Sequence, residues 1–408
     1  MEQNKKQAVQ LILLFGLVSF FGDIIYQGAR SVNGPYLKTL GASAALVGFI
    51  AGLGEFLGYG IRLLSGYFSD KTKAYWLFYF IGYAMLAAVP LLALAGVWQV
   101  AALFIVIERI GKALRTPARD TILSHATKRI GTGLGFGINK FMDQIGGVAG
   151  PLIFSGLFFI AGTQSQTLAD YQKGYVLFWL PFIALIFCGI FVYRRFPDPQ
   201  SLEAPSNRPE PDKLSDIFWL YTLFTFVTAM GFVNFVLMGY HYKANNILSD
   251  AQIPFFYAIA MAIEAFAAIL IGRTYDWFKE KYQNNHAGLL VLGLIPIFSV
   301  LIVFTGFTRS IILIVFSVVL WGIVMGAHET VMKSAIADLT PLKKRGTGYG
   351  IFNTVYGLAI FIGSVLMGML YDKYLSGLLF FTLLLQAAGI VIFFIILRRM
   401  KISSFQGA

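Results

Sequence analysis

The stretch Arg194-Arg-Phe-Pro-Asp-Pro-Gln-Ser-Leu-Glu-Ala-Pro-Ser-Asn-Arg-Pro-Glu-Pro-Asp-Lys213 decides how this chain is organised. Pro197, Pro199, Pro205, Pro209 and Pro211 fall in it, five of the chain's thirteen prolines. Proline removes a backbone donor and clashes with the preceding turn, so no helix runs through the segment and it reads as an extended polar linker. Apolar runs flank it. Before the linker they lie at about 9–36, 44–68, 75–95, 98–123, 133–160 and 174–194; after it, at about 215–240, 252–273, 287–307, 310–338, 347–371 and 376–397. Crossing the hydrocarbon core takes about 20 mostly apolar residues. The expected fold is all-α and integral to the membrane, with twelve transmembrane helices in two pseudo-symmetric six-helix bundles. Residues 1–195 form the first bundle, 196–213 the cytoplasmic linker and 214–408 the second.

Composition agrees. Of 408 residues, 57% are hydrophobic and 13% are Asp, Glu, Lys or Arg, with a mean hydropathy of +0.71. Soluble domains carry about 25% charged residues, so a water-soluble globule, a disordered chain and a disulfide-stapled domain are excluded. In a membrane chain, a net charge of +12 reports basic loops on one side of the bilayer rather than nucleic-acid binding. With both termini inside, nineteen Lys and Arg fall in cytoplasmic loops and five in outer ones. That asymmetry predicts a multi-pass protein of a bacterial-type inner membrane with cytoplasmic termini. The lone Cys188 permits no intrachain disulfide. Met1 to Gln10 leads into a first span without a small-residue cleavage site, so no removed leader is expected.

The halves echo one another. Gly66-Tyr-Phe-Ser-Asp70 closes the second run and Gly272-Arg-Thr-Tyr-Asp276 the eighth; Gly131-Thr-Gly-Leu-Gly135 opens the fifth and Gly346-Thr-Gly-Tyr-Gly350 the eleventh. Internal duplication of this kind is the usual plan of secondary transporters. On these residues the whole chain resembles the major facilitator superfamily. Gly66, Asp70 and Lys71 fit the superfamily's loop pattern after the second span, although Lys73, Ala74 and Tyr75 replace its usual continuation. Glu108-Arg-Ile-Gly-Lys-Ala-Leu-Arg-Thr-Pro-Ala-Arg-Asp120 and Ser19-Phe-Phe-Gly-Asp23 are similar to a bacterial subgroup with a basic fourth helix. Gly146-Gly-Val-Ala-Gly150-Pro151 resembles an element of antiporters, without the glycine pair that usually follows. The resemblance implies a transporter of a small solute by alternating access. It also places Arg109 where the superfamily often keeps an arginine near its proton site.

A charge at mid-bilayer is expensive and marks a functional position with a partner. Ser19, Asp23, Gln27 and Arg30 recur at helical spacing on one face, as a cavity lining or an Asp23–Arg30 tie. Glu55 lies near mid-membrane, and Arg62 can snorkel. Glu108, Lys112, Arg115 and Arg119 form a stripe with Arg109 beside it. Arg109 and Lys112, lying deeper, suit an anionic cargo or a neighbouring carboxylate. Lys140 and Asp143 can satisfy each other or be parted by a proton or an anion. Gly146 and Gly150 serve helix packing or antiport. In the second half, Glu264 is a lone buried acid and Glu329 pairs with Lys333 one turn on. Asn234 and Tyr356 are candidate linings, as are Tyr26, Tyr257 and Asn353. Asp23, Glu55, Asp143 and Glu264 are the proton-coupling candidates. Gly66, Asp70, Lys71, Arg115, Arg119, Asp120 and Asp276 make up an inner gate.

Several local strings mislead. His328-Glu329 begins a zinc-protease motif, but Met332 stands where its second histidine must be. Gly346 to Gly350 reads like a potassium filter, yet it follows Lys343, Lys344 and Arg345 without a pore helix. No Walker sequence occurs, so the expected driving force is a proton gradient, with no cofactor, no metal and no enzymatic chemistry. The expected partners are a small solute, anionic or zwitterionic, and the lipid bilayer, with the chain a monomer. Two transport readings stand, proton-driven export by antiport and proton-coupled uptake by symport. A non-transporting sensor or scaffold and a lipid flippase are the readings from other classes. All transport readings require Asp23, Glu55, Arg109 and Lys140 to border one wet cleft.

Overall fold

The computed structural model describes residues 2–130, 132–197, 214–284, 286–340 and 345–400. Most of the expected linker, Gly131, and the side chains of 132–135, 345–347, Asp70 and Lys333 lie outside the described residues. The described elements are helical, with no strand among them. They are α1 Glu2–Thr39, α2 Ala44–Thr72, α3 Tyr75–Ala84, α4 Ala88–Leu91, α5 Trp98–Ile130, α6 Thr132–Ala161, α7 Leu168–Leu177 and α8 Trp179–Arg195, followed by α9 Asp216–Met230, α10 Phe235–Ala244, α11 Gln252–Tyr282, α12 Leu294–Gly306, α13 Ile311–Leu339, α14 Arg345–Lys373 and α15 Leu375–Arg399. Among the described residues, eleven helical stretches are long and apolar enough to cross a membrane. The 33-residue α5 is not one of them. It carries the charged stripe, whose six ionisable groups between Glu108 and Asp120 are what a lipid-facing helix could not hold.

The chain divides into two compact units that take in pieces of one another's sequence. Unit 1 comprises 1–42, 53–207 and 239–258; unit 2 comprises 43–52, 208–238 and 259–408. In unit 1, α1 lies flush against α6. A Cβ on Gly146 would stand 2.3 Å from the Phe20 carbonyl oxygen, and one on Gly150 would stand 2.1 Å from that of Ile24. Small residues allow such approach where lipid supplies no hydrophobic push. Gly82 of α3 and Gly111 of α5 cross just as closely, each facing the other's carbonyl oxygen.

The borrowed segment of unit 1 is fastened by a buried acid. Asp250, 1% exposed, accepts the backbone N–H of Gln166 at 2.5 Å and the ammonium of Lys243. Its own N–H donates to the Gln164 carbonyl at 3.1 Å. Breaking a buried pair by removing one partner costs about 3–5 kcal/mol. Asp250→Ala, which strands a largely buried Lys243, is therefore expected to lower stability by about that amount. Thermal unfolding in detergent measures it. Asp250→Ala/Lys243→Met should recover much of the loss.

Unit 2 uses the same device. Asp372, at the end of α14, accepts the N–H groups of Ala44 and Ala45 at 3.0 and 2.8 Å. It thereby caps the orphan donors at the start of α2. Along the same contact, a Cβ on Gly48 would be 2.2 Å from the Ser364 oxygen. The apolar run 215–240 is not one helix: α9 stops at Met230, α10 resumes at Phe235, and the Asn234 side chain accepts from the Val236 N–H at 3.0 Å.

Candidate functional site

The charges predicted for the first half converge inside unit 1. Glu55 of α2 is 6% exposed. One of its oxygens lies 3.1 Å from the Arg30 guanidinium of α1 and 3.3 Å from that of Arg109 on α5. Tyr26, one turn before Arg30, binds the assembly. Its hydroxyl accepts from Arg109, and from Arg30 at 3.5 Å. The Arg109 guanidinium lies 4.6 Å from its ring centre, and the Lys112 ammonium 3.5 Å. Such cation–ring contacts gain strength when desolvated. Glu108 serves Arg109 and Arg115, each at 3.6 Å, and Arg115 also donates to the Gly82 carbonyl at 3.3 Å. Three guanidiniums thus share two carboxylates, and Lys112 has no carboxylate within ion-pair distance among the described residues.

A second group of charges lies one to two turns along α1. Arg119 pairs with Asp120 at 3.0 Å, donates to Ser19 at 3.1 Å and comes within 3.9 Å of Asp143. Ser19 donates to Asn139 at 3.2 Å, and Asn139 donates to Asp143 at 3.4 Å. Asp23 makes no hydrogen bond or ion pair among the described residues. It feels the repulsion of Asp143 and the attraction of Lys112, Lys140 and Arg119. Lys112 acts on Asp23 and on Glu55, so it is the electrostatic link between the two groups. Gln27, on the same face of α1, accepts from the Tyr257 hydroxyl at 2.7 Å.

Not every expected partner is the one found. Arg30 reaches Glu55 rather than Asp23, because seven residues along a helix place the two about 10 Å apart. Arg115 and Arg119 find carboxylates on α5 and α6. Gly66 stands in ordinary contact with Pro117, 3.6 Å from a built Cβ. Lys71 and Asp276 are exposed, and Asp70, the member of the expected inner gate that Arg115, Arg119 and Asp120 were to meet, has its side chain outside the described residues. Glu264 is buried and engaged in unit 2, Tyr356 is 2% exposed there, and Glu329 is half-buried. Asn234 is occupied in capping α10. Sequence reasoning undervalued Tyr26 and left Glu108 and Asn139 out of the site. The spacing Asp23, Tyr26, Arg30 (three, then four) was the available signal for the first.

A run of membrane-spanning helices with a network of buried charges on α1, α2, α5 and α6 narrows the family, and comparison decides it. The family description Major Facilitator Superfamily matches residues 12–364. The chain belongs to that superfamily. An uncharacterized protein of Mycobacterium tuberculosis (strain ATCC 25618 / H37Rv) is 35% identical over 396 residues, covering 95% of this chain and 93% of the relative. An uncharacterized MFS-type transporter of Methanocaldococcus jannaschii is 26% identical over 381 residues, 90% of each chain. Among solved structures, a POT family transporter in complex with 5-aminolevulinic acid superposes with a TM-score of 0.73 at 13% identity, over 95% of this chain and 96% of that one. This superfamily member is a multi-pass membrane transporter, and a small solute is its cargo.

Proposed function

We propose that this transporter carries a small organic anion or zwitterion together with protons, by alternating access across the cytoplasmic membrane. The observation that carries the reading is that Glu55 is shared by Arg30 and Arg109. While ionised, Glu55 occupies both guanidiniums. Protonation removes its charge, leaving Arg30 with no charged carboxylate among the described residues and Arg109 with Glu108 alone at 3.6 Å, and bidentate guanidinium binding of a carboxylate or phosphate is the strong contact an incoming anion can make there. Proton and anion therefore bind with positive linkage, and by reciprocity each raises affinity for the other. A two-state carrier is driven only by such differential affinity. Lys112, without a carboxylate of its own among the described residues, adds to the attraction. Asp23, facing Lys112 and Lys140, is the group through which a proton would pass to or from the site. The excess of basic loop residues favours cytoplasmic termini, and an inward proton gradient then makes this uptake by symport.

The second reading is export of a cation in exchange for protons. Asp23 opposite Asp143 favours it, since two neighbouring carboxylates would hold a cation or a proton in turn. The glycines of the antiporter-like element are accounted for by packing against α1, so they add nothing to either direction.

Flux in proteoliposomes under an imposed pH gradient tests the first reading, with a panel of organic anions. Wild type should accumulate its anion uphill, with binding that tightens as pH falls. Glu55→Gln imitates the protonated acid. It should keep anion exchange between compartments, lose gradient-driven accumulation and bind with little pH dependence. Binding that weakens on acidification, or uphill flux that survives Glu55→Gln, would overturn symport. Absence of any flux would favour a sensor or scaffold.

A further inference from the structure

Unit 2 holds a buried polar atom that nothing among the described residues satisfies. His328 of α13 is 5% exposed, and its Nε2 has no hydrogen-bond partner among them. Buried polar groups are nearly always hydrogen-bonded, so an exception asks for a missing partner. The ring sits between two others, 5.8 Å from Phe232 at 60° and 5.7 Å from Tyr356 at 50°. Phe232 stacks on Trp321 at 5.9 Å and 27°; Tyr356 lies parallel to Phe352 at 6.5 Å and 9°; and Phe352 stacks on Tyr221 at 4.9 Å and 17°. Six rings thus form a continuous row with one unused hydrogen-bonding atom near its middle. The Trp321 N–H, by contrast, donates to the Val233 carbonyl at 3.1 Å.

The backbone points the same way. Phe232 lies in the break between α9 and α10, within a single membrane-crossing stretch from 216 to 244. Non-helical backbone at membrane depth survives only where it is buried in protein or lines a cavity, and transporters build solute sites at broken helices.

We infer that this row is a stacking site for a planar ring of the transported solute, with His328 Nε2 hydrogen-bonding to a ring heteroatom. The inference rests on the transport reading above, and uses its anionic part only to choose probes. The cargo class becomes a planar heterocycle bearing a carboxylate or phosphate, rather than an aliphatic acid. Aromatic faces discriminate by stacking. Neutral imidazole can donate or accept at Nε2, so a pyridine-type nitrogen suits it.

Purified full-length protein tests this by thermal shift and intrinsic tryptophan fluorescence. The charged probes are nicotinate, benzoate, cyclohexanecarboxylate and acetate; the neutral ones are nicotinamide, benzamide and cyclohexanecarboxamide. Benzoate should bind about 2- to 10-fold tighter than cyclohexanecarboxylate, and nicotinate about 2- to 10-fold tighter than benzoate. His328→Phe keeps ring and bulk, and should bring nicotinate down to the affinity of benzoate while leaving benzoate above cyclohexanecarboxylate. Tyr356→Leu, a second variant, should erode the preference for benzoate. Equal binding of ring and saturated anions overturns the ring site and leaves the anion reading standing. A ring preference among the amides alone, with nicotinamide brought down to benzamide in His328→Phe, upholds the ring site and overturns the anion reading. No binding by any probe counts against both, and an unchanged nicotinate-to-benzoate ratio in His328→Phe removes His328 from the site.

Discussion

Glu55→Ala should destabilise the protein by about 3–5 kcal/mol, the loss typical of breaking a buried ion pair from one side. The reason is the number of partners. Arg30 and Arg109 both direct nitrogen atoms at one Glu55 oxygen, and Glu55 and Arg109 are each less than a tenth exposed. Removing the carboxylate leaves Arg30 with no carboxylate among the described residues and Arg109 with Glu108 alone, and it bares the repulsion between two guanidiniums that the shared counter-charge had offset. Arg30→Ala should cost less, because Glu55 then keeps Arg109. Glu55→Gln should also cost less, because its amide oxygen still accepts hydrogen bonds. In Glu55→Ala/Arg30→Ala the stranded cation is gone, so the pair of substitutions should destabilise less than the sum of the singles. Such non-additivity is the signature of groups in contact. Chemical or thermal unfolding of the four variants in one detergent measures it. Additive losses would mean that Arg30 and Glu55 do not stabilise each other.

The membrane fold and the charged helix faces were legible because both are periodic or compositional. Long apolar runs announce spans, and ionisable residues that hydrocarbon would reject stand out within them. Asp23, Arg30, Glu55, Arg109 and Lys112 could be chosen on that ground alone. Their pairing could not. Whether Arg30 turns to Asp23 or to Glu55 depends on how α1 crosses α2, which no spacing along one helix records. Tyr26 was easy to undervalue because a tyrosine in a helix bundle carries no alarm, although its spacing to Asp23 and Arg30 placed it on their face. The break at 231–234 was invisible for a different reason. Gly231-Phe-Val is as apolar as the helices around it, so a hydropathy average passes through it and only Asn234 hints at a cap. The borrowed segments 43–52 and 239–258 were equally hidden, since Asp372 and Asp250 bind backbone N–H groups, and any sequence offers those.

The α1–α6 contact gives a test in which local and tertiary effects have opposite signs. In a helix interior, Gly→Ala gains up to about 1 kcal/mol from backbone entropy. Gly156 of α6 has nothing within 4 Å of a built Cβ, so Gly156→Ala should be stabilising by about 0.5–1 kcal/mol. Gly150, six residues earlier on the same helix, meets the Ile24 carbonyl oxygen at 2.1 Å and the Gly28 nitrogen at 2.8 Å. Both are backbone atoms of α1 and cannot rotate away, so the helices themselves must separate. Overpacking ordinarily costs about 1–3 kcal/mol, and here no flexible side chain exists to absorb it. Gly150→Ala should therefore lose the helix-propensity gain and about 2 kcal/mol or more besides. Separation of α1 from α6 would also stretch the links that Ser19 makes to Asn139 and to Arg119, so transport should fall by more than the remaining folded fraction explains. Unfolding midpoints for the two alanine variants, with flux normalised to folded protein, read both effects. If Gly150→Ala proved as harmless as Gly156→Ala, close packing of α1 on α6 could not be what positions Ser19 and Asp23 beside Arg119.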